Sequence, residues 1–278
     1  MYRLGTSLLV AAMLAMCLSC ALPATAQNVV ALNSVAVSGK QRMLGQRVLK
    51  AYAQLSLNVA PEKAKTILAA SLDELKSSNG TLRAMAREPH VASALQAQTI
   101  FIDKLAAVTA TPPNASSLQQ AAQISEDLLV NAEAVTQGFI KSGAEAPAAM
   151  VNLAARQRML SQRAAGAYFV YQAGGRTSPD LKARALKAAS DFKTAINAFD
   201  DARGEFPQIA DRIETARIQM VFFDNALSNI DSPSKEQFTT IAGTSERILG
   251  EMDSMTSEMV KLVAARNAAP PIAAAKKK

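Results

Sequence analysis

Apolar residues along this chain recur at three- and four-residue spacing, and no segment alternates strictly as a half-buried strand does. Val37, Leu44, Val48, Ala51 and Leu55 mark one such stripe. Leu153, Leu160, Ala164, Ala167 and Tyr171 mark a second stripe at a constant offset. Spacing of this kind keeps one helix face inward. Proline and glycine break the periodicity at Pro61, Pro89, the TPPN of 111–114, the SGAEAP of 142–147, the GGRTSP of 174–179, Pro207 and the DSPS of 231–234. These breaks predict helices over 29–59, 61–86, 89–110 and 115–142, and again over 147–173, 178–203, 207–230 and 234–266. Ser178 before Pro179, and Ser232 before Pro233, read as N-caps followed by a first-turn proline.

The two sets of four are copies. KQRMLGQR at 40–47 returns as RQRMLSQR at 156–163, with six of eight positions identical. Tyr52 returns as Tyr168, FIDKL at 101–105 as FFDNAL at 222–227, and SEDLL at 125–129 as SERIL at 245–249. The offset drifts from 116 to 120, as a few added loop residues would produce. Short links favour antiparallel neighbours. The expected fold class is all-α: two tandem antiparallel four-helix bundles over 27–143 and 147–267, with their arrangement left open between an elongated tandem and two bundles side by side as an intramolecular pseudo-dimer. Composition agrees, with 49% hydrophobic residues but only 5% aromatic and no Trp, which suits thin Ala-rich helices.

The ends read differently. Arg3, the apolar run LLVAAMLAMCLSCAL and the small residues ATA at 24–26 form a signal-peptide pattern over 1–26, with cleavage expected after Ala26. A lipoprotein reading centred on Cys17 or Cys20 is the weaker alternative. Cleavage would remove both cysteines, leaving neither disulfide nor thiol chemistry. With no other run near the length that spans a bilayer, a periplasmic protein is expected. The AAPPIAAAKKK end, covered by 268–278, is low-complexity and is expected to be a disordered basic tail.

The net charge of +7 favours anionic partners. Nucleic acid is not expected, because the basic residues are dispersed and few aromatics are interleaved for stacking. No cofactor and no metal site is expected. The one histidine, His90, sits beside Pro89 at a helix start, and no Gly-rich phosphate loop is present. An enzyme is therefore the weakest option, and no catalytic residue is assigned.

The repeated stretch holds the candidate site. Arg42 is flanked at helical spacing by Ser38, Gly39, Gly45 and Gln46, and Arg158 by Ala154, Ala155, Ser161 and Gln162. Small residues let another helix approach closely, which explains glycines that cost about 1 kcal/mol each in a helix. Each arginine then projects into a narrow, partly dry space beside a glutamine amide, and needs an anionic partner there. Two readings stay open. Each arginine pairs with a carboxylate of its own bundle, such as Asp103 or Asp224, or the two converge on a small planar anion that suits their forked donors. Arg42, Arg158, Gln46 and Gln162 are the candidate ligand-binding residues. Lys40, Arg47, Arg156 and Arg163 are secondary candidates, with Arg47 and Arg163 expected to lay their stems on apolar neighbours and reach water.

At these residues, VSGKQRMLGQR and VNLAARQRMLSQRAAGAY resemble the P-box helix of the PilJ/NarX-type sensor domain. That domain is found at the periplasmic end of type IV pilus chemotaxis transducers and of nitrate/nitrite sensor kinases. The resemblance covers most of the chain after residue 26, as two tandem copies, the second being the closer match because Asn152 stands where the first has Ala36. It implies a four-helix bundle whose P-box arginines, Arg42 and Arg158 here, hold one anion such as nitrate or nitrite. With no transmembrane helix or output region expected, it implies a binding component without its own signalling output, partnered by a membrane-bound sensor or chemoreceptor. The oligomeric state is open, a homodimer included. The alternative from another class is a structural or interaction protein docking on a chemoreceptor, sensor kinase or pilus-associated partner.

Overall fold

The structure, a computed structural model, describes residues 24–143, 145–200, 204 and 206–268. The expected signal segment and basic tail lie outside them, apart from residues 24–26 and 268, which are helical. Among the described residues the chain is all-α, with no strand. The helices are α1 (Ala24–Ser56), α2 (Pro61–Met85), α3 (Pro89–Thr109), α4 (Ala115–Ser142), α5 (Glu145–Ala173), α6 (Pro179–Asn197), α7 (Ala210–Leu227) and α8 (Lys235–Ala268). No helix among them is long and apolar enough to cross a membrane.

The predicted breaks fall close to the observed ones, and the local chemistry explains them. Pro61, Pro89 and Pro179 each open a helix at its first turn, where a missing N–H leaves no intrahelical bond unmade. The Ser178 hydroxyl accepts from Leu181 N, as an N-cap should. Asn114 and Ser117 form a reciprocal capping box at the start of α4. The cap of α8 is Ser234 rather than Ser232: Gln237 N donates to Ser234 Oγ at 3.3 Å, and Ser234 N to Gln237 Oε1 at 2.6 Å. A second cap box thus outcompetes the Ser-Pro pair two residues earlier. The helix expected over 178–203 ends at Asn197, and the one expected from 207 opens with a 3-10 turn, Pro207–Ile209.

Contacts link α1 to α2, α2 to α3, α3 to α4 and α4 back to α1. The same ring links α5, α6, α7 and α8. The most extensive contact in the molecule joins the rings through α1 and α5. These two helices run parallel, because Gly39 meets Ala155 and, further along both, Gly166 meets Gln46 and Lys50. Equivalent residues meet, since 39 and 155, and 50 and 166, are partners at the 116-residue offset. One continuous apolar core runs through both rings, including Leu44, Val48 and Tyr52 of α1 and Leu160, Ala164 and Tyr168 of α5.

This arrangement corrects the single-stripe reading of α1 and α5. From Gln41 to Ala53 nearly every side chain of α1 is buried. One face packs on its own ring and the opposite face on the other copy, so polar residues must lie inside. The copies resolve this unequally. Tyr52 Oη donates to Ser117 Oγ at 2.8 Å, with the Thr111 carbonyl at 3.1 Å. At the register of Ser117, the second copy has Gln237, which is used in the α8 cap and on the Ala226 carbonyl. Among the described residues the buried Tyr168 hydroxyl has no partner beside Phe169 and Phe238, and burial pushes its pKa up. Tyr52→Phe is expected to lower stability by about 1–2 kcal/mol. Tyr168→Phe is expected to be neutral or stabilising by up to about 1 kcal/mol, since it removes a desolvated, unbonded hydroxyl. Equilibrium urea denaturation of both variants reads the difference.

Candidate site between the two copies

The close approach of α1 and α5 is set at Gly39. A methyl group placed there would sit 2.8 Å from Ala155 Cβ, so one of the two positions must be glycine. The same methyl would lie 3.0 Å from Arg42 Nη2 and 3.9 Å from Arg158 Nη2, so the two guanidinium groups stand no more than about 7 Å apart. Both are buried, Arg42 at 1% and Arg158 at 3% exposure. The small-residue face of each repeat lets the other copy approach closely, and the two arginines of one chain lie near each other at that approach.

Each arginine is held in the same way. Arg42 Nη1 donates to Glu133 Oε2 on α4, and Arg158 Nη1 to Asp253 Oδ1 on α8 at 2.5 Å. Glu133 and Asp253 are equivalent at the 120-residue offset. The Nη2 groups reach across to the other copy: Arg42 Nη2 donates to Asn152 Oδ1 at 2.7 Å, and Arg158 Nη2 to the Ala36 carbonyl at 2.9 Å. Positions 36 and 152 are again equivalents. Both Nε–H groups are buried with no acceptor among the described residues. Burial lowers the pKa of each guanidinium, and the neighbouring carboxylate raises it in part. Glu133 is pushed up by burial, but Arg42 and the Gln137 hydrogen bond hold it below its usual value. The carboxylate partners are thus Glu133 and Asp253, not Asp103 or Asp224. Asp224 instead pairs with Lys193 at the surface, at 2.6 Å.

The glutamines do other work. Gln46 Nε2 donates to the Ser125 carbonyl at 3.1 Å and to Glu126 Oε1 at 3.2 Å. Gln162 Nε2 donates to the Ser245 carbonyl at 2.8 Å. They tie α1 to α4 and α5 to α8, one turn beyond the arginines. Their buried carbonyl oxygens have no partner among the described residues.

Arg47 and Arg163 are not free boundary residues. Arg47 forks across the copies onto Glu246, with Nε at 3.2 Å and Nη2 at 2.5 Å. Arg163 forks the other way onto Glu126, at 3.2 and 2.6 Å. Glu126 and Glu246 are equivalents, so the exchange is reciprocal. Lys50, fully buried, also binds Glu246 and sits 3.2 Å from Ser245 Oγ. Burial pulls its pKa down to about 8. Lys40 pairs with Glu74 at 2.5 Å and stands 4.0 Å from Asp253. Arg156 is exposed.

Glu126, Glu133, Glu246, Asp253 and Lys50 were not singled out from the sequence. A signal for four of them is present: each acid recurs as an acid at the same offset, and SEDLL and SERIL carry the first pair. Lys50 has no such signal, because its equivalent is Gly166. Among the described residues, no three His, Cys, Asp or Glu side chains are grouped to hold a metal. In comparisons with known proteins, no family model, no curated protein and no solved structure matches this chain.

Proposed function

We propose that this protein is a periplasmic binding module for a small oxyanion, nitrate or nitrite first, in which two copies of one repeat stand in for two subunits. The observation that carries this reading is the meeting of Arg42 and Arg158 beside Gly39, both buried and each with an unused Nε–H. Two guanidinium groups this close in a desolvated setting would favour a monovalent anion wherever one of their carboxylates gives way. The Nε–H and Nη2 hydrogens of a guanidinium point the same way, so this edge fits two oxygens of a planar oxyanion. The P-box resemblance of both copies points the same way. In this reading the module would act through a membrane-bound sensor or chemoreceptor.

A second reading has its own observation. Glu133 and Asp253 already neutralise the two arginines, so the site is charge-balanced without a ligand. The protein would then be an interaction module, with the arginines fixing the α1–α5 contact. Isothermal titration of the purified protein with nitrate, nitrite and other oxyanions separates the two. The anion reading expects micromolar to millimolar binding that weakens by about tenfold or more in Arg42→Ala, and clearly in Arg158→Ala. No heat and no thermal shift with any small anion would leave the interaction reading.

A further inference from the structure

We infer that the anion site is one-sided: the ligand is held by Arg42, Asn152 and Arg156, while Arg158 contributes charge but stays locked to its own partners. This inference rests on the anion reading above and deepens it. Duplication allowed the halves of the site to diverge, and three differences point the same way.

The first difference lies in the acceptor opposite each arginine. Arg158 Nη2 is bonded to the Ala36 carbonyl, a backbone group of a buried helix that cannot turn away. Arg42 Nη2 is bonded to Asn152 Oδ1, the end of a partly buried side chain. Rotation of that amide removes the acceptor and presents its NH2 group to an arriving anion. One side is fixed and the other is adjustable.

The second difference is the flanking cation. Lys40 and Arg156 are equivalents, each one turn after the residue that receives the opposite arginine. Lys40 is tied to Glu74 at 2.5 Å and faces Asp253 at 4.0 Å. At the register of Glu74, α6 carries Asp191, which is held by Lys187 at 2.9 Å. Arg156 is therefore without a carboxylate within salt-bridge distance among the described residues. It is exposed and lies on the Asn152 face of α5, where its charge acts on both Arg42 and Glu133.

The third difference is what holds the carboxylates. The two carboxylates are equally exposed, at 40% and 41%, but Glu133 has the longer side chain and already accepts from Gln137 at 2.8 Å on its other oxygen. It can swing outward and leave Arg42, with Arg156 beside it to receive it. Asp253 sits between Arg158 and Lys40. A small monovalent oxyanion would thus enter past Arg156 and accept from the Nε–Nη2 edge of Arg42 and from the Asn152 amide, while Glu133 on Nη1 is free to shift toward Arg156. A divalent anion would over-compensate this half-neutralised pocket.

The test compares Arg156→Gln with Lys40→Gln by isothermal titration with sodium nitrate and sodium nitrite. Both positions are at the solvent edge, so neither change threatens the fold. Arg156→Gln is expected to weaken binding about fivefold to tenfold, and Lys40→Gln by less than about twofold. In 15N-labelled wild-type protein, the Asn152 side-chain amide signal should move on nitrate addition. Equal weakening in the two variants, with an unmoved Asn152 amide, would place the anion symmetrically and overturn the one-sided site while leaving anion binding intact. Absence of any wild-type binding would remove both proposals together.

Discussion

Glu246→Gln is expected to destabilise the protein by about 3–5 kcal/mol, the largest single effect of the polar contacts between the copies. Among the described residues, Glu246 is the sole charged hydrogen-bond partner of a fully buried lysine, and it also accepts the fork of Arg47. Removing one member of a buried ion cluster leaves the remaining charge desolvated and uncompensated, which costs far more than the cluster contributes when whole. The equivalent change, Glu126→Gln, should cost only about 1–2 kcal/mol. Its cations, Arg163 and Arg184, keep 25% and 24% of their side chains in water. Lys50→Met added to Glu246→Gln should recover much of the loss, because the orphaned charge is then gone. Guanidinium denaturation of the four proteins checks the order. The pH dependence carries a sign as well. Burial pushes the Glu246 pKa up, but Lys50 and Arg47 bring it down to about 2, from an ordinary 4.5. The unfolded chain therefore binds this proton first as pH falls. The stabilisation is complete above pH 4.5 and lost between there and about 2. Glu246→Gln should lack that part of the acid sensitivity.

Gly39→Leu should cost about 3 kcal/mol, by forcing α1 and α5 apart. Even one methyl at Gly39 would press on Ala155 Cβ at 2.8 Å, and that atom is fixed to a helix backbone and cannot yield. Alanine at 39 alone gains about 1 kcal/mol of helix propensity and still collides, so Gly39→Ala is expected to destabilise by less than leucine does. The decisive variant is the exchange, Gly39→Ala with Ala155→Gly. It moves the missing methyl to the other copy and should restore near-native stability. Thermal denaturation followed by circular dichroism would show it. If the exchange were no better than Gly39→Ala alone, the contact would not be the constraint described.

Helices, breaks and the duplication were legible in the chain because each has a local cause. Period, proline position and repeat offset do not depend on what packs where. Room for a close-packed helix at the arginine faces was legible for the same reason, from Ser38, Gly39, Ala154 and Ala155, but that α1 and α5 would fill it for each other was not. Partner identity was not. Glu133 lies 91 residues from Arg42, and Glu246 lies 199 from Arg47, and no local pattern encodes such pairings. Arg47 looked like a boundary residue because its neighbours on α1 are apolar. Its fork is filled from another copy of the repeat, which no helical wheel contains. Gln46 and Gln162 were placed beside the arginines by spacing alone, and the orientation of their amides came from the carbonyls of α4 and α8.

Lys50 faces a residue that no symmetric assembly could offer it. Its equivalent is Gly166, where an added Cβ would already lie 3.3 Å from the Gln46 carbonyl and 3.7 Å from the Lys50 backbone nitrogen. A homodimer of the first repeat would set lysine against lysine at this crossing, and a homodimer of the second would have no lysine there at all. Joining the copies in one chain removes that bind. The halves stay together at any dilution, because the linker holds them at a high effective concentration. A substitution then appears once, not twice. Each half of the interface has been free to change without imposing the same change on its mate, which is how a shared ancestral surface can come to have two different sides.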